Sequence, residues 1–206
     1  MKQTKSFDMT LDDELSEISV VSLEQAVAAP YCGLLLASAG ARVIKVERPE
    51  GDFARSYDSG IDGKSAIFAW LNRGKESIAL NLKNKKDKFI LKKIINRSDI
   101  FLSNLTPQAL KRLELDYTNL KSDNPKLIYC KITGYGESEE ASTRKAYDML
   151  VQAESGLCSV TGTEESPSKV GISITDLSTG LTAFSAILRA LIQRAKTNRG
   201  VQISIS

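Results

Sequence analysis

The chain has 206 residues, of which 42% are hydrophobic, so it can bury the core of one domain or of two small ones. Its formal net charge of +3 is too small to indicate nucleic acid as a partner and is compatible with an anionic small molecule. Histidine is absent, which excludes Ser-His and Cys-His nucleophile pairs and histidine zinc ligands. Any catalysis must therefore use carboxylates, Lys, Tyr, Cys or backbone groups.

The N-terminal residues contain neither an apolar core nor a small-residue cleavage site, so they do not form a signal peptide. The longest mostly apolar stretch, residues 26–41, is interrupted by proline and glycine and is too short to span a membrane. Cys32, Cys130 and Cys158 are far apart and form no CxxC motif, which favours reduced thiols. We expect a cytoplasmic protein without a transmembrane segment.

Short β-branched runs alternate with longer periodic runs, a pattern typical of βαβ units. After a tail at residues 1–17, the predicted strands are residues 18–23, 42–47, 77–82, 100–102, 127–132 and 201–205. The predicted helices are residues 31–38, 86–96, 107–113, 147–157 and 177–197, and residues 134–145 are predicted to be a loop. We therefore predict an α/β domain over residues 18–206, with a Rossmann-like parallel sheet and flanking helices.

The last predicted helix has the clearest periodicity, because apolar side chains recur along one face at Leu177, Leu181, Phe184, Leu188 and Leu191. Cationic residues in its last turns and Gly200 just beyond them are typical of a helix C-terminus. A new strand follows, and the chain stops there. Because parallel strands are usually covered on both faces, we expect an incomplete domain.

Asp176 directly precedes this helix and is predicted to be its N-cap, where the helix dipole would stabilise the carboxylate anion. Capping alone explains an aspartate at such a position, so a chemical role is a second interpretation. Tyr147 and Asp148 form another polar pair at a predicted helix start, and capping by Asp148 is again the simplest explanation.

Basic residues Lys45, Arg48 and Lys83 lie at or just after predicted strand ends, where open α/β sheets bind ligands. Together they could face a phosphate, although each alone is explained as a surface charge. The Lys-rich segment 83–93 is mainly the exposed face of a helix. The sequence has no GxGxxG, GxxxxGK[ST] or GxSxG motif, so dehydrogenase, P-loop ATPase and α/β-hydrolase functions lack support.

The segment VVSLEQAVAAPYCGLLLASAGARVIKVERPEGDFAR at residues 20–55 resembles the opening of the class III CoA-transferases, the group of formyl-CoA transferase and carnitine CoA-transferase. Further segments that resemble this family follow in the family's order: residues 71–83, 99–105, 109–112, 147–148, 176–180 and 194–200. The resemblance covers nearly all of residues 18–206.

The resemblance implies that Asp176 is a nucleophile, which is compatible with its being a cap as well. It also implies a site for coenzyme A, bound as the acyl-CoA substrate, with no metal. The residues implied at this site are Gln25, Ala26 and Val27 near the thioester, Arg48 at the nucleotide phosphates, Leu80, Leu82 and Lys83 at the adenine and ribose phosphate, and Asn104, Leu105, Ala109, Arg112 and Lys145 along the groove.

The implied reaction moves CoA from an acyl-CoA to a second carboxylic acid through an aspartyl anhydride and an aspartyl-CoA thioester. Family members are longer and form interlocked homodimers, and their small domain and returning C-terminal segment have no counterpart here. Val27 lies where formyl-CoA transferases have glutamine, which argues against an oxalate and formate pair. General likeness of residues 24–55 favours small dicarboxylates such as succinate, itaconate or citramalate.

Two other functions remain open from the sequence. The α-methylacyl-CoA racemase branch shares the fold but uses a His-Asp pair, and Tyr147 stands where that histidine would be. Tyrosine is a poor base at neutral pH, which disfavours racemisation. The second alternative is an inactive CoA-binding fragment. Nucleic-acid binding is disfavoured because no aromatic residues interleave with the basic ones.

Overall fold

The computed structural model describes residues 13–136, 138, 141 and 144–206. The strands are β1 (Ser19–Leu23), β2 (Arg42–Glu47), β3 (Glu76–Ala79), β4 (Ile100–Ser103), β5 (Ile128–Ile132) and β6 (Val201–Ile205). The α-helices are α1 (Ala28–Ser38), α2 (Ala66–Asn72), α3 (Lys85–Ile95), α4 (Pro107–Leu113), α5 (Tyr117–Asp123), α6 (Asp148–Glu154) and α7 (Ile174–Thr197). Short 3-10 helices lie at Phe53–Ser56 and Leu157–Ser159.

The strands form one sheet in the order β3-β2-β1-β4-β5-β6, and all neighbouring strands are parallel. The predicted α/β class and parallel sheet are confirmed. The chain builds outwards from β1 to β3, then crosses through α3 to β4 on the other side of β1. Strand order therefore reverses between β1 and β4, and ligands of open α/β sheets bind beyond the carboxyl ends of the strands at such a point.

Both faces of the central strands β1, β4 and β5 are covered. Val20 packs with residues of α1 and α7, whereas its neighbour Val21 packs with residues of α3, α4 and α5 on the other face. Both valines are almost completely buried. This two-sided burial explains why β1, β4 and β5 are continuous apolar runs rather than alternating ones.

Two helices were not predicted from the sequence. Each has a single buried residue, Leu71 in α2 and Leu120 in α5. Helix α2 is a short continuous apolar run, which periodicity alone does not assign to helix or strand, and α5 is mostly polar. Local capping marks where they begin: the Ser65 hydroxyl accepts a hydrogen bond from the Phe68 amide at 3.0 Å. The predicted helix 147–157 is shorter, comprising α6 and the 3-10 segment after it. Part of the predicted loop 134–145 lies outside the described residues.

Helix α7 begins at Ile174, so the prediction that Asp176 is its N-cap is wrong: Asp176 is the third helical residue, and Ser173 is the N-cap. At the other end, Asn198 rather than Gly200 adopts the left-handed conformation that ends the helix. Gly200 instead allows close approach to the backbone of Leu127, where a Cβ atom could not fit. Within the described residues, none of the helices combines the length and apolar composition needed to cross a membrane.

Candidate active site

A cleft with a volume of about 680 Å³ opens beyond the carboxyl ends of β1, β4 and β5, at the reversal of strand order. It brings together residues from the loops after these strands and from the starts of α6 and α7. Six of the predicted site residues line it: Gln25, Ala26, Asn104, Leu105, Lys145 and Asp176. The cleft position agrees with the expectation that ligands bind at a strand-order reversal.

The first turn of α7 carries Asp176 into this cleft and is capped from another helix. Ser173 makes no side-chain capping hydrogen bond. Instead, Oδ1 of Asp148, the first residue of α6, accepts from the Thr175 amide at 2.8 Å, the Thr175 hydroxyl at 2.6 Å and the Asp176 amide at 3.4 Å. Asp148 therefore caps α7 rather than its own helix, which corrects the simplest interpretation of the sequence.

The Asp176 carboxylate is half-buried at the wall of the cleft. Burial, and secondarily the negative charge of Asp148, raise the pKa of Asp176 to about 6. The group remains largely ionised at neutral pH but is poorly solvated. A carboxylate of this kind is suited to attack an electrophilic carbonyl, because less hydration has to be removed from it.

The turn between β1 and α1 forms another wall of the cleft and is held by Asn104. The Asn104 side chain accepts from the Gln25 amide at 3.0 Å and donates to the Gln25 carbonyl at 2.7 Å. The next residue, Ala26, has φ of +64°, a left-handed conformation that costs free energy for a residue with a side chain. Asn104 thus fixes a strained turn at the wall of the cleft.

A buried ionic cluster lies behind this turn. Lys45 Nζ contacts Asp52 at 2.9 Å, and Lys75 Nζ contacts Glu24 at 2.5 Å, with all four side chains at most 1% exposed. Asp52 also accepts from the Ala26 amide at 3.4 Å. The interpretation of Lys45 as a phosphate ligand at a strand end is therefore wrong, because its ammonium group is held in this cluster. Glu24 and Lys75 are far apart in sequence, and no local sequence pattern predicts their pairing.

Two tyrosines of the cleft were not assigned a role from the sequence. Tyr57 lies in the loop after β2, and its pKa is raised to about 12 by burial and by the negative charges of Asp52 and Asp176. It is therefore a neutral phenol at physiological pH. Tyr147, directly before α6, also lines the cleft and is more than half exposed. No periodicity or motif marks Tyr57, since it lies in an irregular loop.

The other residues implied for the CoA site lie near strand ends but do not line the cleft that contains Asp176. Arg48 is exposed directly after β2 and donates to the Gly51 carbonyl at 2.8 Å. Val27 is the N-cap of α1 and is 9% exposed. The rest follow β3 or lie in α4: Leu80 is buried, Leu82 and Ala109 are half-buried, and Lys83 and Arg112 are exposed. Contact of this group with CoA stays a prediction.

Comparison with known proteins places these observations in a family context. The model of CoA-transferase family III matches residues 15–206. Human succinyl-CoA:glutarate CoA-transferase is 39% identical over 199 residues, which are 95% of this chain and 45% of the relative. Acetyl-CoA:oxalate CoA-transferase of Acetobacter aceti is 37% identical over 190 residues, 91% of this chain and 49% of the relative.

Among solved structures, a CaiB/BaiF family protein from Brucella suis superposes with a TM-score of 0.90 at 35% identity, over 95% of this chain and 53% of that chain. The chain spans about half the length of the curated relatives it matches.

Proposed function

Because this chain belongs to CoA-transferase family III, we propose that it forms the CoA-binding half of an enzyme that moves CoA from an acyl-CoA donor to a carboxylic acid acceptor. One observation carries the proposal: the half-buried carboxylate of Asp176 lies in the first turn of α7, in a cleft at the reversal of strand order. The names of the relatives support CoA transfer, and this carboxylate supports a covalent route for it.

In the proposed reaction, an Asp176 carboxylate oxygen attacks the thioester carbonyl, the C–S bond breaks, and an aspartyl anhydride and CoA thiolate form. The thiolate attacks the aspartyl carbonyl of the anhydride, which releases the donor acid and leaves an Asp176-CoA thioester. The acceptor carboxylate then attacks this thioester and expels CoA thiolate. The thiolate attacks the acyl carbonyl of the second anhydride, giving the new acyl-CoA and free Asp176.

The environment of Asp176 fits each of these steps. Its pKa of about 6 leaves it ionised at neutral pH, and every leaving group is a carboxylate or a thiolate, so no histidine is required. Tyr57 remains protonated in the same cleft, so its hydroxyl can donate a hydrogen bond to an oxygen that gains negative charge during attack.

The proposed CoA site extends from the cleft along the carboxyl edge of the sheet. Gln25, Ala26 and Asn104 adjoin the thioester, and Lys145 lines the same cleft. The cations Arg48 and Lys83 are exposed just after strands, and Arg112 is exposed in the last turn of α4. These three side chains can pair with the phosphates. The remaining apolar residues form the groove for the adenine and the pantetheine: Val27, Leu80, Leu82, Leu105 and Ala109.

The substrates and assembly are further parts of the proposal. Relatives are named for transfer between succinyl-CoA and glutarate and between acetyl-CoA and oxalate, so we propose a small dicarboxylate as acceptor or donor acid. We also propose that the protein at its full native length is an interlocked homodimer.

The test uses the protein at its full native length, whether or not that extends beyond Ser206. It is incubated with succinyl-CoA and one acceptor acid at a time: glutarate, oxalate, mesaconate or itaconate. Mass spectrometry of the products should show the acceptor's CoA ester rising as succinyl-CoA falls, with Asp176→Asn inactive. CoA transfer among these acids would be contradicted if succinyl-CoA were only hydrolysed, with no new CoA ester formed, or if no acceptor led to consumption of succinyl-CoA.

A further inference from the structure

We propose that Asp148 is a positioning residue for the transfer reaction: it holds the start of α7 from outside that helix and places a fixed negative charge beside the nucleophilic carboxylate of Asp176. This inference rests on the proposed function of Asp176. It assigns to Asp148 two effects on one neighbour, one geometric and one electrostatic, which can be separated by experiment.

The geometric effect follows from the hydrogen bonds of Asp148 Oδ1. This oxygen accepts from the Thr175 amide, the Thr175 hydroxyl and, at 3.4 Å, the Asp176 amide. Helix α7 has no side-chain cap of its own, so these contacts satisfy amides that the first turn would otherwise leave unpaired. The backbone of the nucleophile is thereby fixed to α6.

Gln152 fixes the other oxygen of Asp148. Its side-chain amide donates to Asp148 Oδ2 at 2.6 Å, and its own carbonyl oxygen accepts from the Val170 amide at 2.8 Å. Gln152 is completely buried. Asp148 therefore cannot turn away from α7 without breaking bonds at both of its oxygens, and the segment leading into α7 is held by the same pair of side chains.

The electrostatic effect follows from charge at short range. Both oxygens of the Asp148 carboxylate act as hydrogen-bond acceptors, Oδ1 for Thr175 and Oδ2 for Gln152. Its charge opposes ionisation of Asp176 and contributes to the raised pKa. Among the described side chains that line the cleft, the other titratable ones are the phenols of Tyr57 and Tyr147 and the cations Arg144 and Lys145, and Arg144 pairs with Glu154.

A carboxylate with a higher pKa is a stronger nucleophile once it is ionised, and Asp148 supplies part of this increase. Asparagine can replace Asp148 as a hydrogen-bond acceptor for the first turn of α7, but it carries no charge. Asp148→Asn therefore removes the electrostatic effect and keeps the hydrogen bonds to the first turn of α7, although its NH2 group cannot accept the bond from Gln152. Asp148→Ala removes the electrostatic effect and all of these hydrogen bonds.

The test measures formation of the Asp176-CoA thioester against pH in the protein at its full native length. The rate of thioester formation rises with pH as Asp176 ionises and then reaches a plateau. In Asp148→Asn this rise should move to lower pH by up to roughly one unit, and the plateau rate should fall several-fold. Asp148→Ala should show the same shift and a lower melting temperature. Asp148→Ser, a shorter neutral cap, repeats the measurement should the Asn variant not fold.

The matched control is Asp116→Ala. Asp116 caps α5 through the Asn119 amide at 3.3 Å, and it is not among the residues that line the cleft. Its loss should lower the melting temperature without moving the pH profile. The role of Asp148 would be overturned if Asp148→Asn left the pH dependence and the plateau rate of thioester formation unchanged. An equal shift of the pH dependence in Asp116→Ala would also overturn it.

A second readout separates failure of this inference from failure of the proposed function. Carbon-13 NMR of labelled aspartate follows the titration of the Asp176 carboxyl, identified by its loss in Asp176→Asn, without any turnover. A lower Asp176 pKa in Asp148→Asn supports the electrostatic effect even if no thioester forms, in which case the proposed function alone fails. An unchanged Asp176 pKa refutes the inference.

Discussion

At the scale of single residues, Asp176 is subject to opposing influences. Its place in the first turn of α7 favours the anion through the helix dipole, whereas burial and the charge of Asp148 disfavour it. The pKa is raised to about 6, so the unfavourable influences are the larger ones. The folded protein therefore binds a proton more tightly than the unfolded chain does, and its stability should fall as pH rises from about 4 to about 6.

Asp176→Asn should remove this loss of stability. A rise in pKa from 3.8 to about 6 corresponds to about 3 kcal/mol for a fully shielded group, and solvent screening reduces it to about 1–2 kcal/mol. Urea denaturation should show the variant about 1 kcal/mol more stable than wild type at pH 7.5 and no more stable at pH 4. A variant less stable at pH 7.5 would mean that Asp176 is a structural residue.

Single residues also show where sequence analysis succeeds and where it stops. Asp176 was singled out from its position beside the last apolar helix and from the family resemblance, although its capping role was misassigned. The contact of Asp148 with Thr175 joins residues 27 positions apart, and it exists only because α6 and α7 are packed together. Lys45 looked like a surface cation, and only the fold shows it surrounded by Glu24 and Asp52.

At the scale of helices and strands, the position of Asp176 depends on close packing of α7 against α1. Gly180 lies one turn beyond Asp176, and a Cβ atom added there would lie 2.6 Å from the Ala28 carbonyl oxygen and 3.0 Å from the Tyr31 ring. Backbone cannot yield as a flexible side chain can, so the two helices would have to separate. The start of α1 and the start of α7 both line the cleft, so such a movement would change the site.

Gly180→Ala should therefore destabilise the fold by about 1–3 kcal/mol and lower the transfer rate. The matched control is Gly171→Ala, because a Cβ atom at exposed Gly171 would meet nothing within 4 Å. That variant should match wild type in urea denaturation and in the succinyl-CoA assay. Equal stability of the two variants would contradict the close packing of α1 and α7 described above.

The loop between β3 and α3 provides a test of the proposed CoA position. If Lys83 pairs with the ribose 3′-phosphate, Lys83→Ala should weaken CoA binding about tenfold and leave binding of dephospho-CoA unchanged. Lys93→Ala serves as control, since Lys93 lies in the last turn of α3 over the Phe89 ring. Isothermal titration calorimetry measures both ligands. Equal losses for CoA and dephospho-CoA would remove Lys83 from the phosphate site.

The strands were more predictable than the helices, for a physical reason. Strands such as β1, β4 and β5 are buried on both faces and therefore appear as apolar runs whatever surrounds them. The short helices α2 and α5 bury one residue each: the apolar run of α2 has no clear period, and the polar sequence of α5 differs little from that of a loop. The cleft itself is assembled from loops after three strands, so no single segment of sequence describes it.

At the scale of the whole molecule, the described surface retains apolar area. A groove of about 700 Å³ runs between α3 and the strands β1, β2 and β3, and its lining includes the half-buried Ile44 and Ile78 and the exposed Phe89. Leu181 and Ile192 of α7 are more than half exposed, and β6 is an edge strand of the sheet formed by the described residues. Surfaces of this kind mark contacts with other protein segments. They fit the proposal of a longer, interlocked dimer, with relatives about twice as long as this chain.

Residues 1–206 expressed alone should therefore self-associate or aggregate, whereas the protein at its full native length should sediment as a dimer. Analytical ultracentrifugation over a tenfold range of concentration measures both. A monodisperse, folded monomer of residues 1–206 would contradict the expectation that the groove along α3 and the exposed side of α7 need a covering segment.

The central claim, that Asp176 carries CoA as a covalent thioester, is tested most directly by trapping. The protein at its full native length is incubated with succinyl-CoA and then hydroxylamine, which displaces CoA from a thioester and leaves a hydroxamate on the side chain. Peptide mass spectrometry should find the hydroxamate on Asp176 alone and no label in Asp176→Asn. A hydroxamate on Asp148 instead, or an Asp176→Asn variant that still transfers CoA, would contradict the account.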